Sequence, residues 1–224
     1  MTTTSAASAP ARGAWLWLLP AVLGVGVTLL IMLVMPPQRT LHGFGDFLLK
    51  VTPLVLAVVT IAIFPNRGPL GVALLALGVL FYFGFIDSAF FIQVDQLVQA
   101  VKSDAGPKQF GAYYQFSIFV NAFVVLLAVF AFRMGGATTS SVLRVGGAGI
   151  LILLSGINDL TMWAMYAWPA GARPETFDWA SHVSIFVGRS PTLIDMLVFL
   201  AIHLALVVAA LRLPLTARFS RATS

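Results

Sequence analysis

Asp159 is the most demanding residue in the sequence. It stands inside the apolar run Ser155-Gly-Ile-Asn-Asp-Leu-Thr-Met-Trp-Ala-Met-Tyr166. An ionisable group within such a run costs several kcal/mol unless it is paired or hydrated, so an acid there points to a proton carrier, a general acid or a metal ligand. On a continuous helix Ser155 and Tyr166 share its face, with Asn158 and Trp163 close by. Asp87 interrupts a second apolar run, FYFGFIDSAFF, in which Phe85 and its aromatic neighbours would wall a pocket for a flat or cationic group. Asp195, in SPTLIDML, falls at the start of a third run, where a carboxylate also complements a helix N-terminus.

Two further groups extend the set. A further apolar run adds Tyr113, Tyr114, Gln115, Ser117 and Asn121; Ser117 and Asn121 are four apart and share a face, which is expected to point inward. Asp178 and His182 are four residues apart, the spacing at which two ligands on one helical turn hold a metal ion. The expected site therefore has Asp159 and Asp87 as catalytic acids or bases. Asn158, Asn121, Tyr114, Trp163 and Phe85 contact the substrate, and Asp178, His182 and Asp195 are available to a divalent metal ion.

One part of this pattern resembles a known family. In the C subunit of the copper membrane monooxygenases, the methane- and ammonia-oxidising group, an Asp-x3-His motif lies between two spans, with a second His thirteen residues on. Asp178-x3-His182 resembles the first part of that motif, and Asp195 stands where the family has its second His. Asp87 in FIDSAFF is similar to a Gly-Leu-Asp-Ser segment at a span end in that family. The resemblance implies a metal-dependent oxygenase subunit. The residues read by themselves also admit an acid–base cyclase or isomerase, in which aromatic walls stabilise positive charge.

Composition decides what must position these groups. The chain has 224 residues, 59% of them hydrophobic and only 9% charged, and its mean hydropathy is +0.96. A soluble domain carries about a quarter charged residues. A soluble enzyme, a disordered chain and a nucleic-acid-binding domain are all excluded, and no dense basic run is present. The long apolar runs do not alternate, which excludes a β-barrel. With no cysteine there is no disulfide, thiolate metal site or thiol nucleophile. No P-loop, dinucleotide-binding, HExxH or GxSxG pattern occurs.

The fold expected is all-α, a polytopic transmembrane bundle of six spans. These cover about 13–35, 47–64, 70–91, 112–132, 145–168 and 192–211, each near the roughly 20 residues that cross a bilayer. The first run is read as a retained span, being too long for a signal-peptide core. Residues 1–12 form a disordered tail, 13–211 one membrane domain and 212–224 a basic tail. The connectors 92–111 and 169–191 exceed turns and carry apolar residues at helical spacing, so short interfacial helices are expected there. In the second, Trp179, Val183 and Phe186 fall on one face. The Gly146-Gly147-Ala148-Gly149 stretch is expected to be a close helix-packing site.

Six spans put both termini on one side. Seven Lys or Arg residues then lie on that side and six on the other, a small bias that places the termini in the cytoplasm and the chain in the plasma membrane. The acids are far less even. All eight, at positions 46, 87, 95, 104, 159, 175, 178 and 195, fall on the outer side. The expected partners are the lipid bilayer, a lipophilic small molecule and other membrane subunits, with no nucleic acid. The function expected is an enzyme or enzyme subunit with an outward-facing, aromatic-lined carboxylate and histidine pocket. The alternatives are a non-catalytic subunit of a membrane complex and a proton-coupled transporter.

Overall fold

A computed structural model describes residues 15–37, 40–65, 68–100, 106–169 and 173–212. Both terminal tails, Arg39, Arg67, Lys102 and Asp104 lie outside the described residues. The described chain is helical, and its one β-feature is an isolated antiparallel bridge between Thr176 and Thr192. The helices are α1 Leu18–Leu29, continued by a π-helical turn at Leu30–Val34, α2 Phe44–Ile63 and α3 Pro69–Phe81. A second π-helical turn at Tyr82–Ile86 leads into α4 Asp87–Ala100. Then follow α5 Gly106–Met134, α6 Thr139–Leu153, α7 Ile157–Met165, α8 Ser181–Val187 and α9 Leu193–Arg212.

Four helical stretches are long and apolar enough to cross a membrane: Phe44–Ile63, Pro69–Ala100, Gln109–Met134 and Leu193–Arg212. A fifth is added if α6 and α7, bent by 42° at their junction, count as one span. Leu18–Val34 is apolar but shorter. The chain is thus built as a multi-pass membrane protein. Leucines, valines and phenylalanines cover the outside of these helices, a surface that water does not favour and lipid does.

Contacts between chain ends define the two ends of the bundle. At one end Trp17 packs edge-on against Phe64 at 4.9 Å, and Arg133 donates to the Phe64 carbonyl at 2.8 Å and to the Ala137 carbonyl. Arg133 is only 8% exposed, and it satisfies carbonyls that the end of α2 and the α5–α6 turn would leave open. At the other end Gln109 donates to Gln93 and Gln96, joining α4 to α5, and the Leu41 amide donates to Ser181 Oγ. Inside the bundle Gly146 of α6 lies so close to α2 that a Cβ there would overlap Val58. The glycine-rich stretch is therefore a packing site.

Each end has its own apolar core. Ile61, Ala62, Val129 and Val142 join α2, α5 and α6 at the Arg133 end. Phe177, Ala180, Val183 and Met196 form the second core, with Leu160, Trp163, Trp179 and Phe199 packed around them. The segment from Thr176 to Thr192 folds back onto α7 and α9, closed at its base by the Phe177 amide donating to the Pro191 carbonyl at 2.8 Å. In the other connector, residues 92–100 continue α4 within one helical rod.

The α6–α7 break corrects the expected single helix. Leu153 ends α6, and Gly156 takes a left-handed φ of +74° before α7 begins. A side chain at Gly156 would be strained in that conformation and would meet Met196 Cε at 2.9 Å. Ser155 bridges the break, donating to the Ile152 carbonyl at 2.7 Å and accepting from the Ile157 amide. Ser155, Asp159 and Tyr166 consequently do not share one continuous helical face. Tyr166 ends α7 and is exposed.

Candidate functional site

Asp159 lies in the first turn of α7, just past the break, and is 7% exposed. The reversed chain at Gly156 turns it toward α8. There its Oδ2 meets Nε2 of His182 at 3.7 Å, with side-chain exposures of 17% for His182 and 10% for Asp159. That separation is too long for a hydrogen bond, so His182 Nε2 is buried beside the carboxylate without a hydrogen-bond partner. The indole Nε1 of Trp179 is buried in the same condition, beside the Asp159 carboxylate. Phe199 lies between His182 and His203, edge-on to the first with ring centroids 6.2 Å apart and tilted against the second at 4.2 Å. The result is a carboxylate, an imidazole and an indole N–H enclosed by aromatic and aliphatic side chains.

His182 belongs to α8, outside the long apolar helices. Burial first, and the charge of His203 second, push its pKa down to about 4. The imidazole is therefore neutral at pH 7. In the unfolded chain it titrates near 6.5. Between those two values the unfolded state binds the extra proton, so stability is full above about pH 6.5 and falls as the pH drops toward 4. The loss is on the order of 3 kcal/mol at its limit. Between pH 7.5 and pH 5 the melting temperature of the detergent-solubilised wild type is expected to move downward relative to that of His182→Gln by several degrees. Parallel curves for the two proteins over this range contradict the buried neutral imidazole.

The structure separates the other expected site residues. Helix α8 begins only after Ala180, so Asp178 and His182 do not share a helical turn. Asp178 is exposed and accepts from Thr176 Oγ1 at 2.9 Å, while His182 turns inward. Asp195 caps α9: its Oδ2 accepts from the Thr192 amide at 2.7 Å and hydroxyl at 2.8 Å, and Arg189 pairs with it at 2.8 Å. That is a reciprocal cap of a helix N-terminus closed by an ion pair. Among the described residues no three His, Asp or Glu side chains converge as metal ligands. As placed, Asp178, His182 and Asp195 do not fit a metal centre, and no metal-assisted step is derived from them.

Asp87 follows directly on the π-helical turn Tyr82–Ile86 and is half-buried, far along the rod that packs on α5. It makes no side-chain hydrogen bond or ion pair among the described residues. Phe85 is 55% exposed and stacks on Phe81, so it faces outward. Asn121 and Asn158 are also exposed. Tyr114 stacks on Phe110. Trp163 is close to the Asp159 cluster but its Nε1 donates to the Pro174 carbonyl at 2.9 Å, and Arg173 covers its ring at 4.7 Å. Its part is to hold the connector.

Two cavities among the described residues bear on the placement of the site. One, lined by Leu54, Val58, Leu126 and Gly146 among others, is apolar and has only about 10 Å³. The other is an open groove of about 440 Å³ between the start of α2 and α8, lined by His42, Phe44, Ser181, Ser184 and Arg189 among others. Neither is lined by Asp159, Asp87, Asp195 or His182, so the four do not share either of these cavities.

Trp179 and Gln115 carry roles that residue spacing did not assign. Gln115 Nε2 donates to the Ile31 carbonyl at 3.1 Å, inside the π-helical turn of α1, where the regular ladder is interrupted. A lone glutamine in an apolar run is a signal of that kind, although it does not name its acceptor. Nothing in the spacing of Trp179 shows that its indole reaches Asp159, since the turn before α8 decides it. Compared with protein-family models, with curated proteins and with solved structures, the chain matches none.

Proposed function

We propose that the protein is a plasma-membrane enzyme, or a subunit of one, that acts on a lipophilic small molecule by acid–base chemistry, with Asp159 and His182 as the reacting pair. The observation that carries this reading is the meeting of a buried carboxylate with a buried imidazole from a separate element, at a helix break. The imidazole Nε2 has no hydrogen-bond partner among the described residues. A buried pair of this kind is costly to keep for structure alone, because an apolar pair of similar volume packs there without desolvating a charge. The neutral imidazole accepts a proton, the carboxylate accepts or returns it, and the Trp179 N–H is placed to donate to developing negative charge. The enclosing side chains are apolar and lipid is the nearest reservoir, which favours a lipophilic substrate.

The same proposal includes six spans, counting Leu18–Val34 as the first and the bent α6–α7 pair as the fifth. Both termini are then cytoplasmic and the Asp159 end faces outward. A proton-coupled transporter fits less well, because such a protein needs titratable groups along both halves of its path, and the described acids lie toward one end. A second reading, a non-catalytic subunit of a membrane complex, is favoured by one observation: neither cavity opens on Asp159. An alkyl diazirine probe separates the two. With the protein reconstituted in bilayers, photolysis is expected to label residues of α7, α8 and the start of α9 around Asp159, and excess unreactive alkane is expected to compete. Labelling confined to the lipid-facing sides of the helices, without competition, favours the non-catalytic subunit.

A further inference from the structure

We infer that the open side of α5 is a dimerisation surface that takes a second copy of this chain, held at its centre by Asn121 of one copy against Asn121 of the other. Two sides of α5 are already occupied. Phe123 packs on Phe81 and Tyr82, and Val129 joins Ile61 and Val142 in the core shared with α2 and α6. Along the third side Ile118, Asn121, Val125, Ala128 and Phe132 are all exposed. They follow one another at alternating intervals of three and four residues, the pattern of a seam between two helices.

Asn121 is the member of that seam that lipid does not satisfy. It stands midway along the span Gln109–Met134, which puts it at the depth of the hydrocarbon core. Its carboxamide makes no hydrogen bond among the described residues. Against acyl chains an amide without a partner costs several kcal/mol. Asn121 points out of the bundle, so the described helices of its own chain do not supply that partner.

A second copy supplies it by symmetry. Copies inserted in one bilayer share one orientation, so α5 meets α5 in parallel and the two amides arrive at the same depth. A carboxamide carries both donors and an acceptor, hence two of them related by a two-fold axis exchange N–H···O bonds. A different protein needs a polar group at that depth and on that face, whereas a copy of this chain brings one by construction. Ala128, two turns from Asn121, leaves room for close approach, and Ile118, Val125 and Phe132 pack on either side. A single Asn in such a seam also fixes its register.

The test uses the full-length protein reconstituted in phosphatidylcholine vesicles. The chain has no cysteine, so single cysteines report the seam without interference. Under copper phenanthroline oxidation Val125→Cys or Ala128→Cys is expected to give a disulfide-linked dimer of twice the 24.0 kDa chain. Trapping there is expected to be much faster than with Val198→Cys, on the exposed side of α9. Adding Asn121→Leu to the seam cysteine is expected to lower the dimerisation constant about three- to thirtyfold, the range for one interhelical hydrogen bond, read as trapped dimer against lipid dilution. Leucine at a lipid-facing position favours insertion, so this variant stays in the membrane. Trapping at both seam positions no faster than at position 198 overturns the proposal and leaves lipid or another subunit as the occupant. Trapping that Asn121→Leu does not change overturns it as well, since the amide then holds nothing.

Discussion

Asp159→Asn is expected to leave the protein inserted, folded and at least as heat-stable as wild type, and to reduce turnover on the order of 10²–10⁴-fold. Asparagine has nearly the same shape and hydrogen-bonding capacity as aspartate, so the packing around α7 and α8 is kept. It carries no charge, and removing a charge from a site this buried relieves a desolvation cost. What it cannot do is titrate, or offer His182 a carboxylate at 3.7 Å. Activity and stability are thus expected to move in opposite directions, a signature that a purely structural hydrogen bond does not give. Ser155→Ala is the matched control. It removes the hydroxyl that bridges Ile152 and Ile157 at the break, costs about 1 kcal/mol and leaves the carboxylate in place. Melting curves and turnover with one lipophilic substrate, on both variants, decide the matter. Full activity in Asp159→Asn ends the case for proton transfer at this residue and leaves Asp159 as a polar pin.

Phe177→Ala has the largest expected effect on stability, about 3–5 kcal/mol. Phe177 is fully buried and packs against Trp163 at 5.7 Å and Trp179 at 5.3 Å between ring centroids. Truncation leaves a void in the core that joins the connector to α7 and α9 among the described residues. The connector should open while the long helices stay in the membrane. Trypsin reads this directly, because Arg173 and Arg189 flank the segment and both are exposed. Cleavage at these two sites is expected to accelerate many-fold in Phe177→Ala and little in Phe177→Leu, which fills most of the volume for under about 1.5 kcal/mol. Unchanged cleavage in Phe177→Ala means that the connector is held by something other than this core. Since Trp179 and His182 ride on the same segment, the predicted opening also removes both from Asp159.

Several features of this protein were legible in the residues alone. Long apolar runs and a scarcity of charge dictate membrane-crossing helices, because only a lipid phase accepts such surfaces. Asp159 stood out since a charge in an apolar run is costly wherever that run lies, and the structure does bury it. Periodicity failed where the backbone departs from a regular helix. Gly156 breaks the helix that would have aligned Ser155, Asp159 and Tyr166, and α8 starts too late to align Asp178 with His182. Spacing along a helix predicts neighbours only while the helix is continuous. The outward positions of Asn121, Asn158 and Phe85 and the meeting of Asp159 with His182 were settled by tertiary structure. Each depends on which face a helix turns to its neighbours. In a chain whose helices are apolar all round, the hydrophobic pattern carries almost no record of that choice, and close packing of glycines, aromatic rings and a few polar side chains makes it instead.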